Sequence, residues 1–206
     1  MNKIDYNKLM EEIISNLTNK PKLLLHVCCA PCSSSVLNRL VNYFNITVYF
    51  FNPNMDTLTE YEKRMKEEIN LINTLNKNLT DKINIVCCDY NSKLFYKTIK
   101  GFENCLEGGE RCKKCFELRL ENTCLYAKEN NYDYFTTTLS VSPYKNSEVL
   151  NEIGKNLEEK HKIKYLYSDF KKKDGYKKSI ELSKIYNLYR QNYCGCIFSK
   201  MGLDKK

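Results

Sequence analysis

Three groups of cysteines carry the chemistry open to this sequence: Cys28, Cys29 and Cys32; Cys112 and Cys115; and Cys194 and Cys196. They belong to eleven cysteines in 206 residues. Each group falls at or near an expected helix start or in a loop, where side chains from distant parts of a chain can converge. Thiolates are soft ligands for zinc and for iron–sulfur clusters, and these thiols outnumber the needs of one zinc. Cys112-x-x-Cys115 at a helix start is a strong ligand pair. Cys28 and Cys29 are adjacent, so on an extended strand they point to opposite sides, and both reach one centre only where the backbone turns. Cys194-Gly195-Cys196 can close only a very small ring. A disulfide there is strained and easily reduced, and Gly195 supplies the backbone freedom it needs. That pair reads as reversible redox thiols or as ligands of a second metal. Cys124 on an apolar helical stripe and Cys87 at a strand end read as small core residues, and Cys88 and Cys105 stay outside the candidate set. His26 reads as a core histidine with a backbone partner.

The elements that must position these thiols alternate between strand and helix. The apolar run 23–27 reads as a buried strand ending in the first cysteines, and a helix capped by the Ser33-Ser34-Ser35 cluster follows to about residue 43. Further strands are expected over 46–51, 83–87, 134–138 and 164–167. Helices are expected over 59–76, with Tyr61, Met65, Ile69 and Ile72 on one face, and over 92–100. Another runs to about residue 130 with Phe116, Leu120, Cys124 and Ala127 buried, one to about 160, and one around 177–189. This alternation predicts an α/β fold, a Rossmann-like (HUP-like) parallel sheet flanked by helices. It forms a single domain over 1–206: an N-terminal helix 1–20, the core 21–168, and a basic, helical, Cys-bearing C-terminal segment 169–206. Ligands of such sheets sit outside the carboxyl ends of the strands, where Cys28 falls, and the adjacent helix N-terminus favours thiolate.

The net charge of +8 points to a polyanionic partner, nucleic acid foremost, although the lysine-rich composition also matches an AT-biased coding preference. Arg111, Arg119 and Arg190 lie close to cysteine pairs and offer planar forks for phosphate or carboxylate. No apolar run has the length of a membrane span. Residues 1–20 mix Ile4, Leu9, Ile13, Ile14 and Leu17 with charges, as an amphipathic helix does and a signal peptide does not, so a cytosolic location is expected. In a reducing compartment metal ligation or redox chemistry is the default for so many cysteines. No G-x-x-x-x-G-K-[ST] loop is present, and cysteines stand where a Gly-rich phosphate cradle would follow the first strand, which argues against ATP there.

Several longer stretches narrow the function. They are His26-Val27-Cys28-Cys29-Ala30-Pro31-Cys32; Asn52-Pro53-Asn54 with Glu60-Tyr61 and Arg64; and Glu107-Gly108-Gly109-Glu110-Arg111-Cys112 through Cys115. Phe135-Thr136-Thr137-Thr138-Leu139-Ser140 follows with Ser142-Pro143-Tyr144-Lys145-Asn146, then Asp169-Phe170-Lys171-Lys172 and Leu188-Tyr189-Arg190-Gln191-Asn192-Tyr193-Cys194-Gly195-Cys196. In number and order they resemble the QueH-type epoxyqueuosine reductases over nearly all of the chain after the N-terminal helix. The resemblance implies cobalamin-independent reduction of the epoxide of epoxyqueuosine, at the wobble position of tRNA, to an alkene. It implies a 4Fe–4S cluster on Cys28, Cys29, Cys112 and Cys115. It makes Cys194 and Cys196 a redox-active pair, or holders of an additional mononuclear iron together with Cys32. The partners implied are the tRNA anticodon loop and an electron donor. Arg111, Tyr144, Lys145, Arg190 and Tyr193 are candidate substrate contacts, and Tyr144, Asp169 and Tyr193 candidate proton donors. Lys171, Lys172, Lys173, Lys177 and Lys178 are candidates for phosphate contact. Two other functions compete: an ATP-dependent tRNA thiolation-type enzyme, which needs ATP at the first loop, and a metal-stapled RNA-binding module without catalysis.

Overall fold

Leu23, Leu24, Leu25 and His26 are each wholly buried, so the strand they form is covered on both faces. In the computed structural model, which describes residues 4–203, they lie in β1 (Lys22–His26), at the centre of a five-stranded sheet. The other strands are β2 (Asn45–Phe50), β3 (Asn84–Cys87), β4 (Tyr134–Thr137) and β5 (Lys164–Tyr165). All pairings are parallel and the order is β3-β2-β1-β4-β5. The expected Rossmann-like α/β architecture is therefore present. Strand order reverses between β1 and β4, and the crevice at their carboxyl ends is the switch point at which such sheets bind ligands.

Eight helices flank the strands among the described residues: α1 (Tyr6–Ser15), α2 (Ala30–Leu40), α3 (Leu58–Asn76), α4 (Ser92–Thr98), α5 (Glu110–Glu129), α6 (Ser147–His161), α7 (Gly175–Ile185) and α8 (Ile197–Leu203). Alternate residues of β1 feed opposite layers. Leu23, Leu25 and Val27 pack with Met10 of α1, Leu37 of α2 and Tyr61 of α3. Leu24 packs with Phe116, Leu120, Cys124 and Ala127 of α5 and Leu150 of α6. The stripe expected on α5 is buried throughout. α6 can approach β5 closely because Gly154 has no Cβ, which would fall on the Tyr165 ring.

Several local expectations are corrected. Pro31 in the first turn starts α2 early, with Cys29 as its N-cap. The serine cluster thus lies inside the helix, where the Ser33, Ser34 and Ser35 hydroxyls bond back to the Ala30, Pro31 and Cys32 carbonyls. Cys87 is exposed, because β3 is an edge strand paired only with β2. On α3, Met65 and Ile69 are half-buried while Arg64 and Glu68 take buried positions. α1 is shorter than 1–20: residues 1–3 lie outside the described ones, Ile4 is exposed, and the helix ends at Ser15. α8 was not anticipated; it packs through Phe198 against the Phe95, Ile99, Cys115 and Cys196 cluster.

Glu68 is fully buried and its carboxyl oxygens lie 2.7 and 2.8 Å from the Ser33 hydroxyl. Burial raises its pKa to about 8, outweighing the Ser33 hydrogen bond. The folded chain keeps a proton that an unfolded glutamic acid releases from about pH 4.5, so this group makes stability fall as pH rises to about 8 and then level off. Glu68→Gln is expected to remove that component. Thermal unfolding at a series of pH values should show the variant gaining several degrees on the wild type between about pH 5 and about pH 8. A difference independent of pH would mean that the native carboxyl is already ionised.

Candidate thiol centre at the sheet rim

Beyond β1 the chain turns sharply. The Asn52 side-chain amide donates to the Val27 carbonyl at 2.9 Å and ties the turn to the end of β2. The Cys28 and Cys29 sulfurs then lie 3.8 Å apart, both buried, so the turn that a shared centre demands is present. Cys32 follows in the first turn of α2. Hydrogen bonds from Cys29 and Cys32 hold Cys28 well below the usual thiol range against the opposing effect of burial, with help from Lys145 and Arg119. The bond to Cys28 pushes Cys29 well up and Cys32 to about 12.

The second pair opens α5. Gly109 is the N-cap, and the Gly108 N–H donates to the Cys112 sulfur at 3.3 Å. Cys115 lies one turn on, buried, and burial raises it to about 12. Cys194 acts electrostatically on both Cys112 and Cys115, and Cys196, raised by burial to about 11, feels Cys194 and Cys112. Two cations link these thiols to the first group. Lys145, half-buried in the loop before α6, is lowered by burial but lifted further by Cys194, Cys28 and Cys32. Arg119 is lowered by burial and lifted by Cys115, Cys28 and Cys194. Arg119 thus senses all three cysteine groups, and Lys145 the first and the third.

Arg119 is 0% exposed and has no carboxylate partner among the described residues. Its Nη2 donates to Asn52 Oδ1 at 2.7 Å, its Nε lies 3.3 Å from His26 Nε2, and its Nη1 is buried without a partner. Arg64, 2% exposed, pairs with Glu60 at 2.7 Å and leaves Nη2 without a partner. Buried cations are costly unless compensated, and here the nearby anionic candidates are mostly sulfur. Soft thiols backed by buried cations with idle N–H groups fit an anionic group held by cysteinates, as an iron–sulfur cluster is. Among the described residues no three His, Cys, Asp or Glu side chains are arranged to hold a single metal ion. A cluster makes a different demand, because each cysteine holds its own iron and the sulfurs stand farther apart. His26 is buried and bonded to Thr137 Oγ1 at 2.8 Å and the Phe51 carbonyl at 3.1 Å. Burial and the Arg119 charge lower it to about 3, so it is a neutral core imidazole.

The third pair is clipped on from the C-terminal segment. The Asp56 N–H donates to the Gly195 carbonyl at 2.9 Å, and the Asp56 carboxylate receives Lys200 at 2.9 Å and the Tyr193 hydroxyl at 3.4 Å. The Cys194 N–H donates to Ser199 Oγ at 3.1 Å, which itself donates to Glu107 at 2.9 Å. Gly195 has φ +110°, and an added Cβ would stand 3.2 Å from the Arg64 guanidinium. Arg111 is spent on this architecture: it donates to the Glu103 and Cys105 carbonyls and lies over the Phe198 ring. Arg190 turns back onto α7, donating to the Ser179 carbonyl and the Ser183 hydroxyl. Asp169 pairs with Lys171 at 2.7 Å. Tyr144 is 85% exposed beside Lys145. The sequence marks Arg119 as a fork for phosphate or carboxylate beside a cysteine pair, and Asn52 only as part of a resemblance stretch. Their roles as a buried cation among thiols and as its acceptor, and the clips made by Asp56 and Ser199, come from the structure.

A family model described as epoxyqueuosine reductase QueH matches residues 23–202. Proteins of that name resemble the chain along its length. The one from Staphylococcus epidermidis is 42% identical over 99% of this chain and 89% of its own. The Streptococcus pyogenes protein is 38% identical over 98% and 81%, and the Thermotoga maritima protein 35% over 89% and 93%.

Gly195→Ala should strain the positive-φ turn and push on Arg64, loosening the C-terminal clip while the sheet stays intact. The expected result is faster modification of Cys194 and Cys196 by a thiol reagent, mapped by mass spectrometry, with unchanged far-UV dichroism. Unaltered labelling rates would show that the clip tolerates a side chain there.

Proposed function

The chain belongs to the QueH family of epoxyqueuosine reductases, and we propose that it performs this reduction at the thiol centre between β1, α5 and the C-terminal segment. It is an oxidoreductase acting on tRNA in queuosine synthesis. Family membership displaces ATP-dependent thiolation and a non-catalytic RNA-binding module as readings of the sequence. No helix among the described residues is long and apolar enough to cross a membrane.

The observation that supports the proposal is the buried, carboxylate-free Arg119, which interacts with a cysteine of each of the three groups, with Lys145 beside the first and the third. Removing an epoxide oxygen as water and leaving an alkene takes two electrons and two protons. The Cys194 and Cys196 dithiol holds both: closure to a disulfide releases two electrons and two protons as the two C–O bonds break. The small ring strains that disulfide, so an external electron donor readily restores the dithiol. Cys28, Cys29, Cys112 and Cys115 would hold a 4Fe–4S cluster, which when bound would supply single-electron chemistry beside the pair. Arg119 and Lys145 balance the thiolate charge. Tyr144 presents an open aromatic face at the mouth, on which an unpaired loop base can stack. A base in an anticodon loop leaves its stack at small cost. Tyr193, held by Asp56, lines the same loop as the dithiol and is the nearest hydroxyl proton donor to it in sequence.

Anaerobic incubation with iron and sulfide should give a brown, oxygen-sensitive protein, and Cys28→Ser or Cys112→Ser should lose the visible absorption. Cys194→Ser or Cys196→Ser should lower reduction of epoxyqueuosine in tRNA by at least about 100-fold and leave the absorption largely intact. Loss of iron from either of the latter variants would assign the pair, with Cys32, to a mononuclear iron instead. A colourless wild-type protein that takes up only zinc would overturn the cluster.

A further inference from the structure

Away from the thiols, α2 and α7 enclose a cleft of about 400 Å³ beside the loop that joins β5 to α7. Lys172, Lys177 and Lys178 line it, all exposed and none engaged in an ion pair among the described residues. Two other cations of the cleft are already committed, since Arg39 and Lys173 both reach Glu11 of α1, at 3.0 and 2.6 Å. Asp174 and Glu181 also border it, so the positive character concentrates on the three lysines. A pocket for a small anion would offer buried, fixed donors. Here the donors are mobile ammonium groups on a solvent-facing shelf, which suits a run of phosphodiesters.

The direction of α7 connects this shelf to the chemistry. α7 packs along α2, whose N-terminus carries Cys29 and Cys32. The chain leaving α7 continues to Cys194. Eleven residues of helix cover about 16 Å, so the lysines stand well back from the reacting base. We propose that the α2–α7 cleft is a docking site for the sugar–phosphate backbone of an RNA stem, the anticodon arm of the substrate tRNA, with Lys172, Lys177 and Lys178 as its phosphate contacts. This inference rests on the tRNA reductase reading and identifies where that substrate is gripped.

The test compares the wild type with the triple variant Lys172→Gln, Lys177→Gln, Lys178→Gln and with its arginine counterpart. Binding of an unmodified tRNA transcript is measured across a salt series, which needs no turnover. The glutamine variant should bind at least about 10-fold more weakly and lower the slope of log affinity against log salt by about two to three. The arginine variant should bind like the wild type. With epoxyqueuosine-containing tRNA the glutamine variant should raise KM and leave kcat unchanged. Equal affinity and equal slope for glutamine variant and wild type would overturn the proposal. So would saturable inorganic phosphate binding lost in that variant while tRNA affinity stayed the same, since the cleft would then serve a small anion. Lysine-dependent tRNA binding by a protein that reduces no epoxide would support the docking site and count against the reductase mechanism alone.

Discussion

The constraint on which this structure most depends is the burial of the Arg119 guanidinium behind the sheet rim. Moving a permanent cation out of water carries a penalty of several kcal/mol that no carboxylate offsets here. Asn52 accepts from one of its nitrogens and in turn fixes the Val27 carbonyl just beyond β1. The remaining compensation comes from sulfur, because Cys115, Cys28 and Cys194 all face it. A charge placed there both organises the strand ends and sets the sign of what the thiols can hold. Lys145 adds a second positive charge that acts on Cys194, Cys28 and Cys32.

The same economy governs how the C-terminal segment reaches the centre. The sheet supplies Cys28 and α5 supplies Cys115 from well-packed elements with little freedom. Cys194 and Cys196 arrive on a loop and are held by Asp56, Ser199 and the absence of a side chain at Gly195. Rigid ligands and a more loosely mounted dithiol suit different tasks: a cluster needs constant geometry, whereas a pair that opens and closes a ring needs room to move. Arg64 joins the two regions, standing where a side chain at Gly195 would fall while sensing Cys29 and Cys28.

Much of this was legible in the sequence. Strands buried on both faces read as continuous apolar runs, and the alternation with helices leaves few topologies to choose from. The cysteine spacing marked the candidate centre. Apolar periodicity was silent where burial is polar: Arg64 and Glu68 on α3 occupy positions that Met65 and Ile69 were expected to take. The partners that make those positions tolerable are distant in sequence. Cys87 was misread because a strand's own residues do not reveal that it lies at an edge. The serines of α2 looked like caps because the proline that starts the helix earlier lies only two residues before them.

The mounting of Cys194 and Cys196 also bears on how the protein ages. Segments held by a few polar links detach at a smaller free-energy cost than the core unfolds, by sub-global openings of the kind that amide exchange detects. Whenever residues 193–203 lift away, these two sulfurs meet dissolved oxidants while β1 and α5 stay folded. A sulfenic acid formed on either sulfur is then captured by the other as the disulfide, so oxidation first stalls the molecule in a form that a reductant repairs, without melting it.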